Sequence, residues 1–285
     1  MRLKSKNNKH SRKRKIFFFI TMFFIGIYLS FKYIEKEVKF ELDSAFSNYI
    51  LDREYSNNSI INSFNNFIKP KPNTKVKEEN KKDPIIYIYN SHQTEEYASN
   101  DLFSFSPNVT MINYILENTF NSNDYQTLVE ERSIKELLNK NSWKYAASYK
   151  ASRLYMEDAK LNNSSLKYFI DVHRDSLKKD RTTVTIGDKD YAKILFLLGL
   201  ENPNYNENLE FITKINDKLN SLYPGLSKGI LKKSGAGVNG VYNQDFSPYT
   251  ILVEFGGVDN TTYEVLNSSL AFSKCFLEVL NEIEN

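Results

Sequence analysis

Cysteine is almost missing from this chain. Cys275 stands alone, so no internal disulfide exists and any folded part must rely on an ordinary apolar core. Histidine is nearly as scarce, with three in 285 residues. Glycine is sparse, its one loose run being Gly235, Gly237 and Gly240 and its one adjacent pair Gly256-Gly257, and no Gly-Lys-Ser/Thr follows to make a phosphate loop. An excess of one charge is also lacking: 38 Lys and Arg stand against 35 Asp and Glu, a net charge of +3. Much of the positive charge lies in the segment Arg2 to Lys15, which contains no acid. The remainder is close to neutral, which excludes charge as an argument for nucleic acid as a partner.

Long hydrophobic runs are rare too, and one exception stands out. Ile16 to Phe31 is unbroken and apolar. A bilayer core of about 30 Å needs roughly 20 apolar residues, about 17 at the low end. The run reaches that length if Tyr33 and Ile34 join it and Lys32 snorkels. No small-residue cleavage site follows it. The sequence therefore predicts a basic cytoplasmic tail at 1–15, a transmembrane signal anchor at 16–34, and a juxtamembrane helix and linker at 35–83. The basic flank should stay inside, which predicts a single-pass cell-membrane protein whose domain at 84–285 is extracytoplasmic.

Within 84–285, apolar segments suited to strands alternate with helical periodicity. Ile85 to Tyr89, Leu166 to Val172, Lys193 to Leu200 and Thr250 to Phe255 read as strands, the third of them central. Asn108 to Asn121, Ser133 to Met156, Asn206 to Leu222 and Thr261 to Ile283 read as helical. That order predicts an α/β fold, a mixed or mostly parallel sheet with helices on both faces.

Two of the three histidines end such strands. Ile85 to Tyr89 runs into Asn90-Ser91-His92-Gln93-Thr94-Glu95-Glu96-Tyr97, and Tyr168-Phe169-Ile170 into Asp171-Val172-His173-Arg174-Asp175. A lone His at a strand end is ordinarily a surface or core residue. Two of them beside carboxylates, where open α/β sheets place their ligands, meet the demands of a catalytic zinc site: two imidazoles, one carboxylate and an open position. Glu95, three residues after His92, is the first choice of acid; Glu96 points elsewhere in most geometries, and Glu117 is a more distant alternative. Asp171 and Asp175 stand ready to orient His173. Glu254 ends the strand before Gly256-Gly257 and is costly to bury unless paired or functional. It is the candidate general base, taking a proton from water and handing it to a leaving amine. Arg174 and Asn243 are the candidate substrate-binding residues. Cys275 falls on a helix away from both histidines, which leaves covalent catalysis unsupported.

At these residues the chain resembles the stage II sporulation protein P family. Asn90 to Tyr97 is similar to that family's His-Thr-His-x-x-Glu-Ser-Tyr segment, with Asn90 in place of the first His. Asp171 to Asp175, Asn202-Pro203-Asn204-Tyr205, Leu222 to Leu226, Tyr242 to Asp245 and Val253 to Gly257 with Asn260-Thr261 follow in family order. The resemblance implies a fold similar to zinc-dependent N-acetylmuramoyl-L-alanine amidases and an activity on peptidoglycan, with endopeptidase activity also attributed to the family. It implies Zn2+ as cofactor, His92 and His173 as ligands with Glu95 as the matching acid, and Glu254 as acid/base. It further implies stage II sporulation proteins D and M as partners, and the sporulation septum during engulfment as the place of action. Two rival readings remain at this stage: a zinc carboxypeptidase, which needs a cationic clamp facing the metal, and a non-catalytic wall-binding scaffold.

Overall fold

The computed structural model describes residues 82–98 and 107–284. Eight strands and six helices occur among them: β1 Ile86–Tyr89, α1 Thr110–Asn121, β2 Thr127–Val129, α2 Ile134–Lys140, α3 Ser148–Asn162, β3 Tyr168–His173, α4 Lys179–Thr182, β4 Thr183–Ile186, β5 Lys189–Ala192, β6 Ile194–Gly199, α5 Tyr205–Leu222, β7 Ser227–Lys233, β8 Thr250–Phe255 and α6 Thr262–Glu284. Six strands form one sheet in the order β2-β1-β3-β8-β6-β7, and β4 and β5 form a separate hairpin. The pairs β1–β2, β1–β3, β3–β8 and β6–β7 are parallel. Only β6 runs against its neighbour β8. The fold is thus mixed α/β with a mostly parallel sheet. The strand expected to be central, β6, is next to the edge, where its uniformly buried residues are covered on both faces instead of flanked deeply on both sides.

Side chains two apart share a sheet face, and the two faces differ in kind. Ile88, Ile170, Val172, Val253 and Phe255 join Tyr168 and Phe196 on one side, all buried. That face packs an aromatic layer from the helices: Phe120 of α1, Phe211 of α5, and Phe272 and Phe276 of α6. The opposite face holds Tyr87, Tyr89 and Phe169 under Met156 and Ala159 of α3. Along the same face, toward the carboxyl ends of β1, β3 and β8, the residues become polar: Asp171, His173 and Glu254. The first turn of α3 reaches this polar end, where Tyr149 stacks over His173.

The strand ends are tied together by backbone geometry. Gly256 adopts φ +65°, and its carbonyl accepts the Asp175 amide at 2.8 Å. The Gly257 amide donates to Asn260 Oδ1 at 2.7 Å, and a Cβ at Gly257 would collide with the Leu177 carbonyl. The Gly pair after Glu254 is therefore required by the close crossing of the two chains that leave β3 and β8.

The expected localisation is corrected here. No helix among the described residues is long and apolar enough to cross a membrane. The expected tail at 1–15, span at 16–34 and nearly all of the segment at 35–83 lie outside the described residues.

Candidate metal centre

After β1 the chain makes a tight turn in which the Glu95 amide donates to the His92 carbonyl at 3.1 Å. This turn brings both side chains to the end of β3. His92 Nδ1 lies 3.4 Å from Glu95 Oε1, and His173 Nδ1 lies 3.3 Å from Glu95 Oε2. The imidazole centroids are 5.0 Å apart, nearly perpendicular. One ligand atom from each of His92, Glu95 and His173 falls within 4.8 Å of the others; Glu96 and Glu117 are not in this cluster. Glu254 pairs in register with His173 across β3 and β8 and shares with the three a cavity of about 650 Å³.

The other nitrogen of His173 is also held. Nε2 is 3.0 Å from Asp171 Oδ1 and 2.9 Å from Ser91 Oγ. Ser91 in turn donates its hydroxyl to Asp171 Oδ2 at 2.7 Å and its amide to Oδ1 at 2.9 Å. This arrangement fixes the ring with Nδ1 turned toward Glu95, as partners of metal-binding histidines do. The charge balance follows. Burial works against a charged His173, but the Asp171 and Glu95 carboxylates raise its pKa well above the ordinary value. Burial likewise opposes an ionised Glu95, yet bonds from His173, His92 and the Arg174 amide hold it well below the usual carboxylate range. Glu254 goes the other way: burial, reinforced by Asp175, pushes its carboxyl up to about 7.

Aromatic rings wall the site. His92 stacks on Tyr145 at 4.9 Å and meets Tyr149 edge-on at 5.3 Å. Tyr149 also faces His173 and Tyr242. Sequence reasoning did not single out Tyr145, Tyr149 or Ser91. The four-residue spacing of the two tyrosines, one turn of helix, was the available signal.

The remaining sequence candidates are placed as follows. Arg174 donates its amide to Glu95 Oε2 at 3.0 Å, while Nε and Nη1 donate to the carbonyls of Glu96 and Asp175. Its guanidinium thus braces the turn that carries Glu95. Asn243, at φ 55°, donates Nδ2 to the Tyr149 carbonyl and to Ser152 Oγ, both at 3.0 Å, anchoring a loop on α3. Asn90, where the family pattern has His, bonds the Val172 carbonyl at 2.7 Å and Asn113 of α1, so it links β1 to β3 from outside the cluster. The letters Gly-x-Ser-x-Gly occur at Gly225 to Gly229. Ser227 opens β7 rather than a strand-to-helix elbow, and its Oγ bonds Asn216 and the Gly229 amide. The helix residue Cys275 is fully buried, far from this chemistry.

The model of the family described as stage II sporulation protein P matches residues 13–277. Stage II sporulation protein P of Bacillus subtilis (strain 168) is 36% identical over 208 residues, which cover 70% of this chain and 52% of the relative. The chain therefore spans about half the length of that curated relative. Among solved structures, the CwlD amidase from Clostridioides difficile, in complex with the GerS lipoprotein, is similar with 12% identity and a TM-score of 0.46, over 70% of this chain and 99% of that one. Cwp6 from Clostridium difficile gives 10% identity and a TM-score of 0.41, over 70% and 30%. On the extent of the family match, the chain belongs to the stage II sporulation protein P family.

Proposed function

We propose that this protein is a metal-dependent peptidoglycan hydrolase that cleaves the N-acetylmuramoyl-L-alanine amide. The observation that carries this reading is the convergence of His92, Glu95 and His173 beside the half-buried Glu254 in one open cavity. Family membership supplies the substrate class through the resemblance described above, and it supports stage II sporulation proteins D and M as partners.

The donor set fits zinc: two imidazole nitrogens and one carboxylate, with one ring fixed from behind by Asp171 and Ser91. Zinc held by His92, Glu95 and His173 would supply Lewis acidity to the amide and to water near neutral pH. Glu254 takes the proton from the attacking water and passes it to the leaving amine. A carboxyl with a pKa of about 7 suits both halves of that transfer. Tyr145 and Tyr149 pack against the His92 ring and hold it in place. The same proton transfer serves a stem-peptide amide, so endopeptidase activity needs no second site.

The carboxypeptidase alternative loses its expected clamp, because Arg174 is engaged by backbone carbonyls. Peptidoglycan digested with the purified protein and resolved by mass spectrometry separates the readings. Free stem peptides are expected. Trimmed stems would replace this proposal with the carboxypeptidase, and an unchanged digest with the scaffold.

A further inference from the structure

Two cavities meet at His92. The larger, about 650 Å³, contains Glu254 and extends as a trough over Leu197 and Leu252 to Lys228 and Lys233 of β7. The smaller, about 380 Å³, is lined by Ile134, Leu138, Trp143 and Tyr145, with Asn139 and Lys135 among its polar groups. His92 is the one residue common to the linings of these two. A substrate with its reacting amide beside the histidines has one cavity on either side of His92 to extend into.

We propose that the substrate binds with a fixed polarity: the stem peptide lies in the trough, where Lys233 takes the carboxylate at its far end, and the sugar occupies the Trp143–Tyr145 cavity. This rests on the amidase reading above. The direction comes from Glu254. The group that returns a proton to the leaving amine must stand on the amine's side, and Glu254 lines the trough and not the smaller cavity. The leaving amine belongs to the first residue of the stem, so the peptide follows the trough.

The two lysines then differ in role. Lys228, level with the chemical end, already pairs with Asp175 at 2.7 Å. Lys233 is paired in register with Gly199 at the opposite end of β6, and no ion pair with an acid of the described residues engages it. The register of β7 on β6 shifts between Ile194 and Phe196, so the two lysines lie about four β6 residues apart, roughly 13 Å at about 3.3 Å per residue. That distance matches a stem of about four extended residues by the same rise. An unpaired ammonium at the end of such a trough is suited to a carboxylate. On the other side, Tyr145 is 55% exposed and already stacks one face on His92. An exposed aromatic ring with amide and ammonium neighbours fits the mixed apolar and hydroxylated surface of a sugar.

The test uses disaccharide tetrapeptides with a free or an amidated terminal carboxyl, and a disaccharide dipeptide. Binding is measured by calorimetry on the Glu254→Gln protein and turnover on the protein with Glu254 intact. The free acid should be preferred over the amide by about tenfold, the factor set by roughly 1.4 kcal/mol. Lys233→Gln should abolish that preference through KM with kcat kept, and Lys233→Arg should restore it. The dipeptide, too short to reach, should bind both proteins alike, and Tyr145→Ala should weaken acid and amide equally. If Lys233→Gln leaves the acid preference intact, or weakens the dipeptide as much as the tetrapeptide, the assignment is overturned. A native protein that releases no stem peptide from any of the three sinks the amidase reading itself.

Discussion

Replacing Glu254 by glutamine should stabilise the metal-free protein while disabling it. The carboxyl is buried near Asp175, and its pKa rises from an ordinary 4.5 to about 7. Between those values the folded carboxyl holds a proton that the unfolded one has lost. Folding stability therefore falls as pH rises from about 4.5 to 7 and stays lowered above it. The full displacement corresponds to about 3 kcal/mol, at roughly 1.4 kcal/mol per pH unit. Glutamine keeps the size of the side chain and carries no charge to desolvate, so this cost vanishes in the variant. For a domain of this size, 1 kcal/mol moves Tm by roughly 2–4 °C, so the ceiling is on the order of 6–12 °C. Thermal melts of chelator-treated native and Glu254→Gln proteins at pH 4.5 and pH 8 provide the assay. The variant should melt several degrees higher at pH 8 and nearly together with the native protein at pH 4.5. Hydrolysis at pH 7 should meanwhile fall by about 10²–10⁴-fold. Equal melting at pH 8, or an advantage larger at pH 4.5, would refute the electrostatic account of this residue.

Four further outcomes are expected. His173→Ala should lose bound zinc together with activity, because two ligands hold a catalytic ion poorly; elemental analysis showing full occupancy would reject the ligand set. Cys275 should resist thiol reagents at pH 8 in the native state, since burial pushes its thiol up to about 12, and should react once denaturant unfolds the domain; rapid labelling without unfolding would contradict its placement. Between about 9 and 12 that same burial should lower stability as pH rises, because only the unfolded thiol ionises. Gly257→Ala should destabilise by about 1–3 kcal/mol, the usual cost of overpacking, read from urea midpoints; an unchanged midpoint would show that the Leu177 carbonyl can move aside.

What could be read from the sequence was decided by burial. The strands β1, β3 and β8 are short, apolar and covered on both faces, so composition alone marked them, and with them the strand ends that carry His92, His173 and Glu254. The strand β7 reads Ser-Lys-Gly-Ile-Leu-Lys-Lys; it lies at the sheet edge with one side open, so no alternation distinguishes it from a loop. For that reason Lys228 and Lys233 were invisible as site residues. The three-residue β2 was too short to signal, and the β4–β5 hairpin carries little apolar surface. The span from Ser133 to Met156 divides into α2, a short 3-10 turn at Tyr145–Ala147 and α3, and the break is what presents Tyr145 to His92. Arg174 and Asn243 were singled out for their chemistry, but the structure directs their polar groups to backbone carbonyls. Local sequence does not reveal which partner a long or left-handed residue will reach.

The single reversal of chain direction, between β8 and β6, has an architectural consequence. Because β6 and β7 run opposite to β1, β3 and β8, their carboxyl ends and the turns that follow lie at the far end of the trough. The reacting groups are written in one set of segments, around 91–95, 171–175 and 254. The far end belongs to others, around 199–204 and 233–240. If the trough holds a stem peptide as proposed, a change of length or charge in that second set would alter how much of it fits while leaving His92, Glu95, His173 and Glu254 in place. Reach and reactivity thus draw on separate segments of this fold, joined through β6 and β8 and through the contact of Tyr242 with Tyr149.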